Sequence, residues 1–218
     1  MPIAQYDTIL CDLGNFSLPL QSSHTLSTKH FRSIFSSSTW FEYETGRIAQ
    51  VACYDRLGHG LSLDPADIRK AGGELHTSLR CNTNLASFLR ELKDSNQGAL
   101  RIFAFDGIFT SFEAGRRKSD PEFYRYTPSE ASLDPSRTIF IDDKPENVLS
   151  ACSQGLHGLV YRDFTEVKRA LLNLLGDSVL RGQRCLESNG RNTPILCSGV
   201  AIQEKFSQLL ILEMTNDR

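Results

Sequence analysis

The sequence predicts an α/β fold, a Rossmann-like parallel sheet with a helical cap inserted after the first strand. Short apolar runs typical of buried strands recur along the chain and alternate with amphipathic helical patterns. A long helical stretch separates the first of these runs from the second. Aspartates stand at the carboxyl ends of two runs, and this is the edge at which parallel α/β sheets bind ligands.

Several segments have strand character. The run "YDTILCDLG" is apolar, then reaches an aspartate and a glycine, as expected of a buried strand that opens into a loop. "RTIFIDD" is the clearest strand, and "LHGLVYR" predicts another near the end of the fold. The predicted strands before the last lie at 6–14, 99–105, 107–111 and 137–143.

Helical patterns fill most of residues 21–94. Asp64 is a predicted N-cap, because Pro65 follows at the first helical position. In "NLASFLRELK" the apolar residues fall on one helical face, which predicts an amphipathic helix. "ENVLSACSQG" predicts a helix that is stopped by Gly155.

These elements divide the chain into three parts. We expect the α/β core at 1–17 and 93–175, with the helical cap at 18–92. Residues 176–218 are predicted to form a polar loop followed by an apolar helix. Such a helix folds back on the core, forms a homodimer or leaves an exposed apolar stripe.

Charge and composition exclude several classes of protein. A net charge of -2 and a pI near 6.2 predict no attraction to nucleic acid or to an anionic membrane. No run reaches the ~18 apolar residues of a membrane span, and the start lacks the pattern of a signal peptide. The six cysteines are scattered without a CxxC pair. We therefore expect a cytoplasmic protein with reduced thiols and no membrane span.

Two adjacent acids, Asp142 and Asp143, end the strand in "IFIDDKPENV". One interpretation is a helix N-terminus, since acids are favoured in the first turn and aspartate is a good cap. The other is a magnesium site, because hard cations prefer carboxylate oxygens on a rigid element. Capping explains one acid better than two. Together with Asp12 at another strand end, the pair favours a metal site.

Three segments in this order resemble the haloacid dehalogenase-like (HAD) superfamily of phosphatases and related enzymes. They are "ILCDLGN", "GRRKSDPEFYRY" and "TIFIDDKPENVLSACSQGLHGLVY", and the resemblance spans roughly residues 5–175. Further likeness to fungal HAD-like phosphatases and terpene synthases of terpenoid pathways lies in "STWFEYETGRI", "FTSFEAGRRKSDPEFY" and "GVAIQEKFSQLLILE".

The resemblance implies roles for individual residues. Asp12 matches the catalytic nucleophile, which forms an aspartyl-phosphate. Lys118 matches the lysine that steadies the nucleophile and binds the phosphoryl group, and Asn15 is implied as a substrate-binding residue. Read without the resemblance, Lys118 is a solvated lysine in the basic cluster of "RRK".

A magnesium ion is the implied cofactor. Its ligands would be the carboxylates of Asp12, Asp142 and Asp143 and the backbone carbonyl of Gly14. Phosphoryl transfer needs such a cation because negative charge must be neutralised as the attacking and leaving oxygens line up.

The sequence departs from the family pattern at two places. Gly14 stands where most of the phosphatases carry a second aspartate that protonates the leaving group. After "ALRIFAF" the chain passes directly to "DGIFTS", so the usual Ser/Thr-Asn loop and the helix behind it are absent beyond Phe105. Since general acid-base help is typically worth ~10²–10⁴ in rate, we expect slow hydrolysis, a good leaving group such as diphosphate, or no hydrolysis.

The sequence therefore predicts a magnesium-dependent HAD-type phosphatase of a small organic phosphate or diphosphate, with a terpenyl (drimane-type or prenyl) phosphate as one candidate. Two alternatives remain open. "DDKPE" fits the Asp-Asp-x-x-Glu pattern by which some terpene cyclases bind magnesium and a diphosphate, which indicates a truncated terpene-synthase relative. The other is a catalytically inactive binding or scaffold protein, in which Asp142 and Asp143 only cap a helix.

Overall fold

The computed structural model of this chain describes residues 6–12, 23–78, 82–96, 99–103 and 106–176. The chain forms two compact units. Within the described ranges, the first unit contains 6–12, 82–96, 99–103, 106–108 and 119–176, and the second contains 23–78 and 109–118.

The first unit is built on a parallel sheet. Its strands are β1 Thr8–Cys11, β2 Arg101–Phe103, β3 Thr138–Asp142 and β4 His157–Val160. Their order across the sheet is β2-β1-β3-β4, and each neighbouring pair is parallel. The predicted α/β fold with a parallel sheet is confirmed. Cys11 of β1 is in register with Ile141 of β3, so the two strands end side by side.

Helices cover both faces of this sheet. They are α5 Thr83–Ser95, α7 Pro121–Glu130, α8 Pro145–Ser153 and α9 Phe164–Leu175. Ile139 and Ile141 of β3 pack in one core cluster with residues of α5 and α9. Phe140 lies between them in the strand, and the centroid of its ring is 5.2 Å from that of Tyr124 in α7. Because neighbouring strand residues point to opposite faces, α5 and α9 lie on one face and α7 on the other.

The amphipathic pattern of "NLASFLRELK" is confirmed in α5. Its apolar residues Leu85, Phe88, Leu89 and Leu92 are all buried in the cluster that contains Ile139. Asn82 caps the helix, because its side chain accepts a hydrogen bond from the backbone N–H of Leu85.

The second unit is helical and has its own core. It comprises α1 Thr28–Phe35, α2 Ser38–Glu44, α3 Gln50–Leu61, α4 Pro65–Ser78 and α6 Ser111–Ala114. A series of aromatic contacts joins α1 to α2, with the Trp40 ring 5.0 Å from that of Phe35 and 5.3 Å from that of Tyr43. The predicted start of α4 is confirmed, since the Asp64 carboxylate accepts the N–H of Ala66 at 2.8 Å.

The strand predicted at 107–111 is wrong. Residues 107–110 are irregular, and Thr110 is instead the N-cap of α6. Its side chain accepts the N–H of Glu113, whose carboxylate accepts the N–H of Thr110 in return. This capping box satisfies the local backbone, and the short apolar run does not pair with a strand.

The predicted boundaries of core and cap stay predictions. α5, placed in the predicted cap for most of its length, contributes its apolar face to the core cluster of the first unit. The C-terminal loop and helix predicted within 176–218 lie outside the described residues, apart from residue 176. In the part of the chain that the structure describes, no helix has the length and apolarity needed to cross a membrane.

Candidate active site

The structure brings three of the predicted site residues together. Carboxylate oxygens of Asp12, Asp142 and Asp143 all lie within 4.8 Å of one another. Asp12 directly follows β1, and its N–H donates to the carbonyl of Ile141 at 2.7 Å. Asp142 is the last residue of β3 and Asp143 comes next. The cluster therefore forms where two adjacent parallel strands end, as the sequence predicts.

Asp142 is the buried member of the cluster, with no solvent exposure. Its Oδ1 accepts the backbone N–H of Lys144 at 2.8 Å. The amide nitrogen of Asn147 donates to Oδ1 and Oδ2, at 3.0 Å each. Hydrogen bonds of this kind stabilise the ionised carboxylate and fix its orientation, because a buried charge needs donors in place of water.

A buried tyrosine lies near these acids. Tyr124 of α7 is almost fully buried. Burial raises the pKa of Tyr124, and the negative charges of Asp142 and Asp12 raise it further. The phenol therefore stays protonated at neutral pH.

Asp143 is exposed, so the two neighbouring acids have different surroundings. The chain turns after it into α8, which begins at Pro145. Glu146 lies in the first turn of α8, where a negative charge is favoured by the helix dipole. The buried acid is held by hydrogen bonds, while the exposed acid can reach a ligand from solvent.

The roles predicted for Gly14, Asn15 and Lys118 stay predictions. Gly14 and Asn15 lie outside the described residues. Lys118 lies in a turn of the second unit, directly before Ser119, the residue at which the chain re-enters the first unit. Next to it, Arg117 forms an ion pair with Glu44 at 2.6 Å and lies 3.8 Å from the centroid of the Phe41 ring.

Sequence analysis missed Asn147, which contacts both oxygens of Asp142. Asn147 is a buried polar residue on the inward face of α8, beside Val148 and Ala151. An asparagine among the apolar positions of "NVLSA" is the signal that was available, since a buried amide needs partners. The Ser119 hydroxyl donates to Oδ1 of Asn147 at 2.7 Å, and nothing in the sequence around Ser119 predicts this contact.

The donor set suits a hard divalent cation. All three side chains offer carboxylate oxygens, the type of ligand that Mg²⁺ and Ca²⁺ prefer, and no soft sulfur or imidazole donor is among them. Three like charges so close together favour binding of a cation. The cluster is thus able to hold a metal ion.

Solved structures of other proteins share the fold. A HAD family enzyme of Bacteroides thetaiotaomicron, solved as a magnesium complex, aligns with a TM-score of 0.56 at 15% identity, over 77% of this chain and 100% of that one. A HAD-like family hydrolase of Porphyromonas gingivalis aligns with a TM-score of 0.55 at 17% identity, over 77% of this chain and 98% of that one. At these identities the likeness concerns the fold.

Sequence comparison decides the family. The chain is 31% identical to the sesquiterpene phosphatase astK of Aspergillus oryzae over 169 residues, which are 69% of this chain and 86% of that protein. It belongs to the HAD-like superfamily of hydrolases. No family model matches the chain.

A second relative is larger than this HAD-like chain. Drimenol cyclase drtB of Aspergillus calidoustus is 31% identical over 233 aligned positions, which cover 96% of this chain and 44% of the cyclase. The chain thus spans less than half of that relative, but almost all of it aligns.

Proposed function

We propose that this chain is a magnesium-dependent phosphatase that acts on a terpenyl phosphate or diphosphate through an aspartyl-phosphate on Asp12. The carboxylate cluster of Asp12, Asp142 and Asp143 carries the proposal, because it lies at the carboxyl edge of the sheet with the oxygens that such chemistry needs. The substrate class is supported by the relatives, one named a sesquiterpene phosphatase and the other a drimenol cyclase.

The reaction would have two displacements at phosphorus. A carboxylate oxygen of Asp12 forms a bond to phosphorus while the bond to the leaving oxygen breaks. Water then attacks the phosphorus of the aspartyl-phosphate, which releases inorganic phosphate and restores the carboxylate. Mg²⁺ bound by Asp12, Asp142, Asp143 and the carbonyl of Gly14 would neutralise charge on the phosphoryl group.

Two further residues belong to the proposal through the family resemblance. Lys118 would bind the phosphoryl oxygens and offset their charge, and Asn15 would contribute a hydrogen bond to the substrate. A lysine suits this role because its ammonium group is a compact charge on a flexible stem. Its three N–H donors can therefore follow the phosphoryl oxygens as they move during the reaction.

The presence of Gly14 in place of a second aspartate bears on which leaving group the reaction favours. Gly14 offers no side chain that can protonate a leaving alkoxide. An alkoxide departs slowly without a proton, whereas the terpenyl monophosphate that leaves when Asp12 attacks the terminal phosphorus of a diphosphate needs none. We therefore propose that diphosphates are cleaved faster than the matching monophosphates.

A phosphate-release screen tests the function. Prenyl and drimane-type monophosphates and diphosphates would be offered with Mg²⁺ and, in parallel, with EDTA. We expect release only with Mg²⁺ and fastest from a terpenyl diphosphate. Release that is equal in EDTA would contradict the metal-dependent mechanism, and preference for a generic aryl phosphate would contradict the substrate class.

The alignment with the drimenol cyclase favours one second candidate, a domain that binds a terpenyl diphosphate for cyclisation. Asp142, Asp143 and Glu146 would then bind magnesium and diphosphate through "DDKPE". Product analysis with farnesyl diphosphate separates the two functions, since the phosphatase yields an acyclic alcohol or monophosphate and a cyclase yields a ring. Loss of phosphate release in an Asp12→Asn variant that still binds the diphosphate would favour the phosphatase.

A further inference from the structure

Ser119 has an unusual backbone and a defined set of partners. Its φ is +66°, a left-handed conformation that is strained for a residue other than glycine and persists only where the surroundings impose it. The Ser119 hydroxyl donates to Oδ1 of Asn147 at 2.7 Å. Its carbonyl accepts the hydroxyl of Ser150 at 2.8 Å. Both partners lie on α8, so this helix holds Ser119 in place.

The contact with Ser119 holds the amide of Asn147 in the position from which it reaches Asp142. With Oδ1 towards the Ser119 hydroxyl, the NH₂ group faces Asp142 and donates to both of its oxygens. A rotated amide would turn its own oxygen towards the carboxylate, where two acceptors repel. The carboxylate therefore sets which way the amide faces, and the hydrogen bond from the Ser119 hydroxyl fixes where the amide lies.

We propose that Ser119 is a positioning residue for the metal site, acting through Asn147 on the carboxylate of Asp142. The inference rests on the proposed function insofar as Asp142 is taken as a magnesium ligand. The serine itself touches neither metal nor substrate in this scheme. It keeps the buried carboxylate of Asp142 in the orientation in which one of its oxygens lies within 4.8 Å of oxygens of Asp12 and Asp143.

The expected effect is one of affinity. Mg²⁺ demands nearly ideal octahedral geometry, so a ligand that is free to rotate binds it less well. Loss of a residue that orients a metal ligand typically reduces metal affinity by ~10–100-fold. We expect about a tenfold loss when the Ser119 hydroxyl is removed, at the lower end of that range, because Asn147 remains.

Ser119→Gly separates positioning from stability. Glycine adopts a φ of +66° without strain, so the metal-free variant should fold as well as the parent chain or better. The change removes the hydroxyl together with the Cβ that carries it. Ser150→Ala is the matched control, because it removes a hydroxyl that contacts Ser119 but leaves the contact between Ser119 and Asn147.

The measurement is the dissociation constant for Mg²⁺, from titration calorimetry and from the rise in Tm with Mg²⁺, without turnover. We expect about tenfold weaker binding in Ser119→Gly, an unchanged constant in Ser150→Ala and a loss at least as large in Asn147→Leu. The double variant Ser119→Gly/Asn147→Leu should bind no more weakly than Asn147→Leu alone, because both changes interrupt the same chain of hydrogen bonds.

The outcomes distinguish the positioning role of Ser119 from the proposed function. Unchanged Mg²⁺ affinity in Ser119→Gly, with phosphate release in the parent chain, would overturn the positioning role and leave the proposed function standing. Tenfold weaker binding in a chain that releases phosphate from no substrate would support the positioning role and overturn the proposed function. A parent chain that does not bind Mg²⁺ would overturn both.

Discussion

Three carboxylates within 4.8 Å of one another repel when no cation or proton lies between them. Asp143 is the exposed member, so Asp143→Asn removes one charge without disturbing the core. We expect a higher Tm for this variant in EDTA, because repulsion with Asp12 and Asp142 falls. The rise in Tm on addition of Mg²⁺ should be much smaller than in the parent chain. Differential scanning fluorimetry in EDTA and in Mg²⁺ measures both effects.

Asp55→Asn is the control for this prediction. Asp55 is an exposed acid on α3, and its replacement changes net charge by the same amount. It should leave the response to Mg²⁺ unchanged. An Asp143→Asn variant that Mg²⁺ stabilises as strongly as the parent chain would remove Asp143 from the proposed ligands.

For individual residues, the sequence predicted the three acids of the site but not the hydrogen bonds that hold Asp142 in place. Asp12, Asp142 and Asp143 stand at predicted strand ends, and parallel strands bring such ends together. The contact of Asn147 with Ser119 joins residues that are 28 apart in the chain and depends on how α8 packs on its surroundings. The positive φ of Ser119 is equally hidden, because nothing in "KSD" requires it.

The packing of α8 on β4 depends on a small residue. A Cβ added to Gly158 of β4 would lie 2.5 Å from Cγ1 of Val148 and 2.6 Å from Sγ of Cys152. We expect Gly158→Ala to lower the free energy of unfolding by ~1–3 kcal/mol, the usual cost of overpacking. Chemical denaturation measures this difference.

Gly73→Ala is the matched control for that prediction. Gly73 lies within α4, and an added Cβ would meet nothing within 4 Å. Alanine there should raise the free energy of unfolding by roughly 0.5–1 kcal/mol through helix propensity. A Gly158→Ala variant as stable as the parent chain would show that α8 and β4 are packed less closely than described.

A single glutamate of α4 anchors the segment before α1. The hydroxyls of Ser23 and Thr25 and the backbone N–H groups of Thr25 and His24 all donate to Glu74. The side-chain hydrogen bond from Ser23, followed by that from Thr25, lowers the pKa of Glu74 to about 2 from 4.5. A depressed folded-state pKa means that the stabilisation is present above pH 4.5 and is lost as the pH falls towards 2.

Glu74→Gln should therefore lower Tm at neutral pH, because an amide oxygen accepts these hydrogen bonds less strongly than a carboxylate. The difference in Tm between variant and parent chain should shrink as the pH falls from 4.5 towards 2. Thermal unfolding across this range measures it. A difference that does not change with pH would show that the charge of Glu74 is not what matters.

Helices were predicted well where the apolar pattern was long or where a residue such as glycine marked the end of the helix. α5 has an apolar face of four residues, and Gly155 ends the predicted helix of α8 with a φ of +89°. The segment 107–111 failed because five residues cannot show whether a neighbouring strand exists. Its outcome was decided by the capping box of Thr110 and Glu113, a signal that the apolar residues obscured.

At the scale of the whole chain, the sequence predicts that the Ser/Thr-Asn loop of the family is missing after β2. Asp106 accepts the N–H of Ile102 at 2.8 Å and donates its own N–H to the Ile102 carbonyl at 3.1 Å, and its side chain forms an ion pair with Lys93. Asp106 thus lies beside Ile102 of β2, as expected of a connection without that loop.

Insertion of a Ser-Asn loop after residue 104 should raise phosphatase turnover by more than tenfold. One preorganised donor is usually worth ~10²–10³ in rate. A Gly-Gly loop of equal length is the control, since it lengthens the connection without supplying the hydroxyl. Turnover of a terpenyl phosphate by the two insertion variants measures the effect. Equal rates, or a parent chain that already works at ~1–10³ per second, would show that the gap matters little.

The central claim is that Asp12 is the nucleophile of a metal-dependent phosphatase. Phosphate release by the parent chain and by Asp12→Asn, each with Mg²⁺ and with EDTA, tests it most directly, with circular dichroism as the check on folding. We predict release only by the parent chain with Mg²⁺ and none by a folded Asp12→Asn variant. Equal release by the two proteins would contradict the assignment of Asp12.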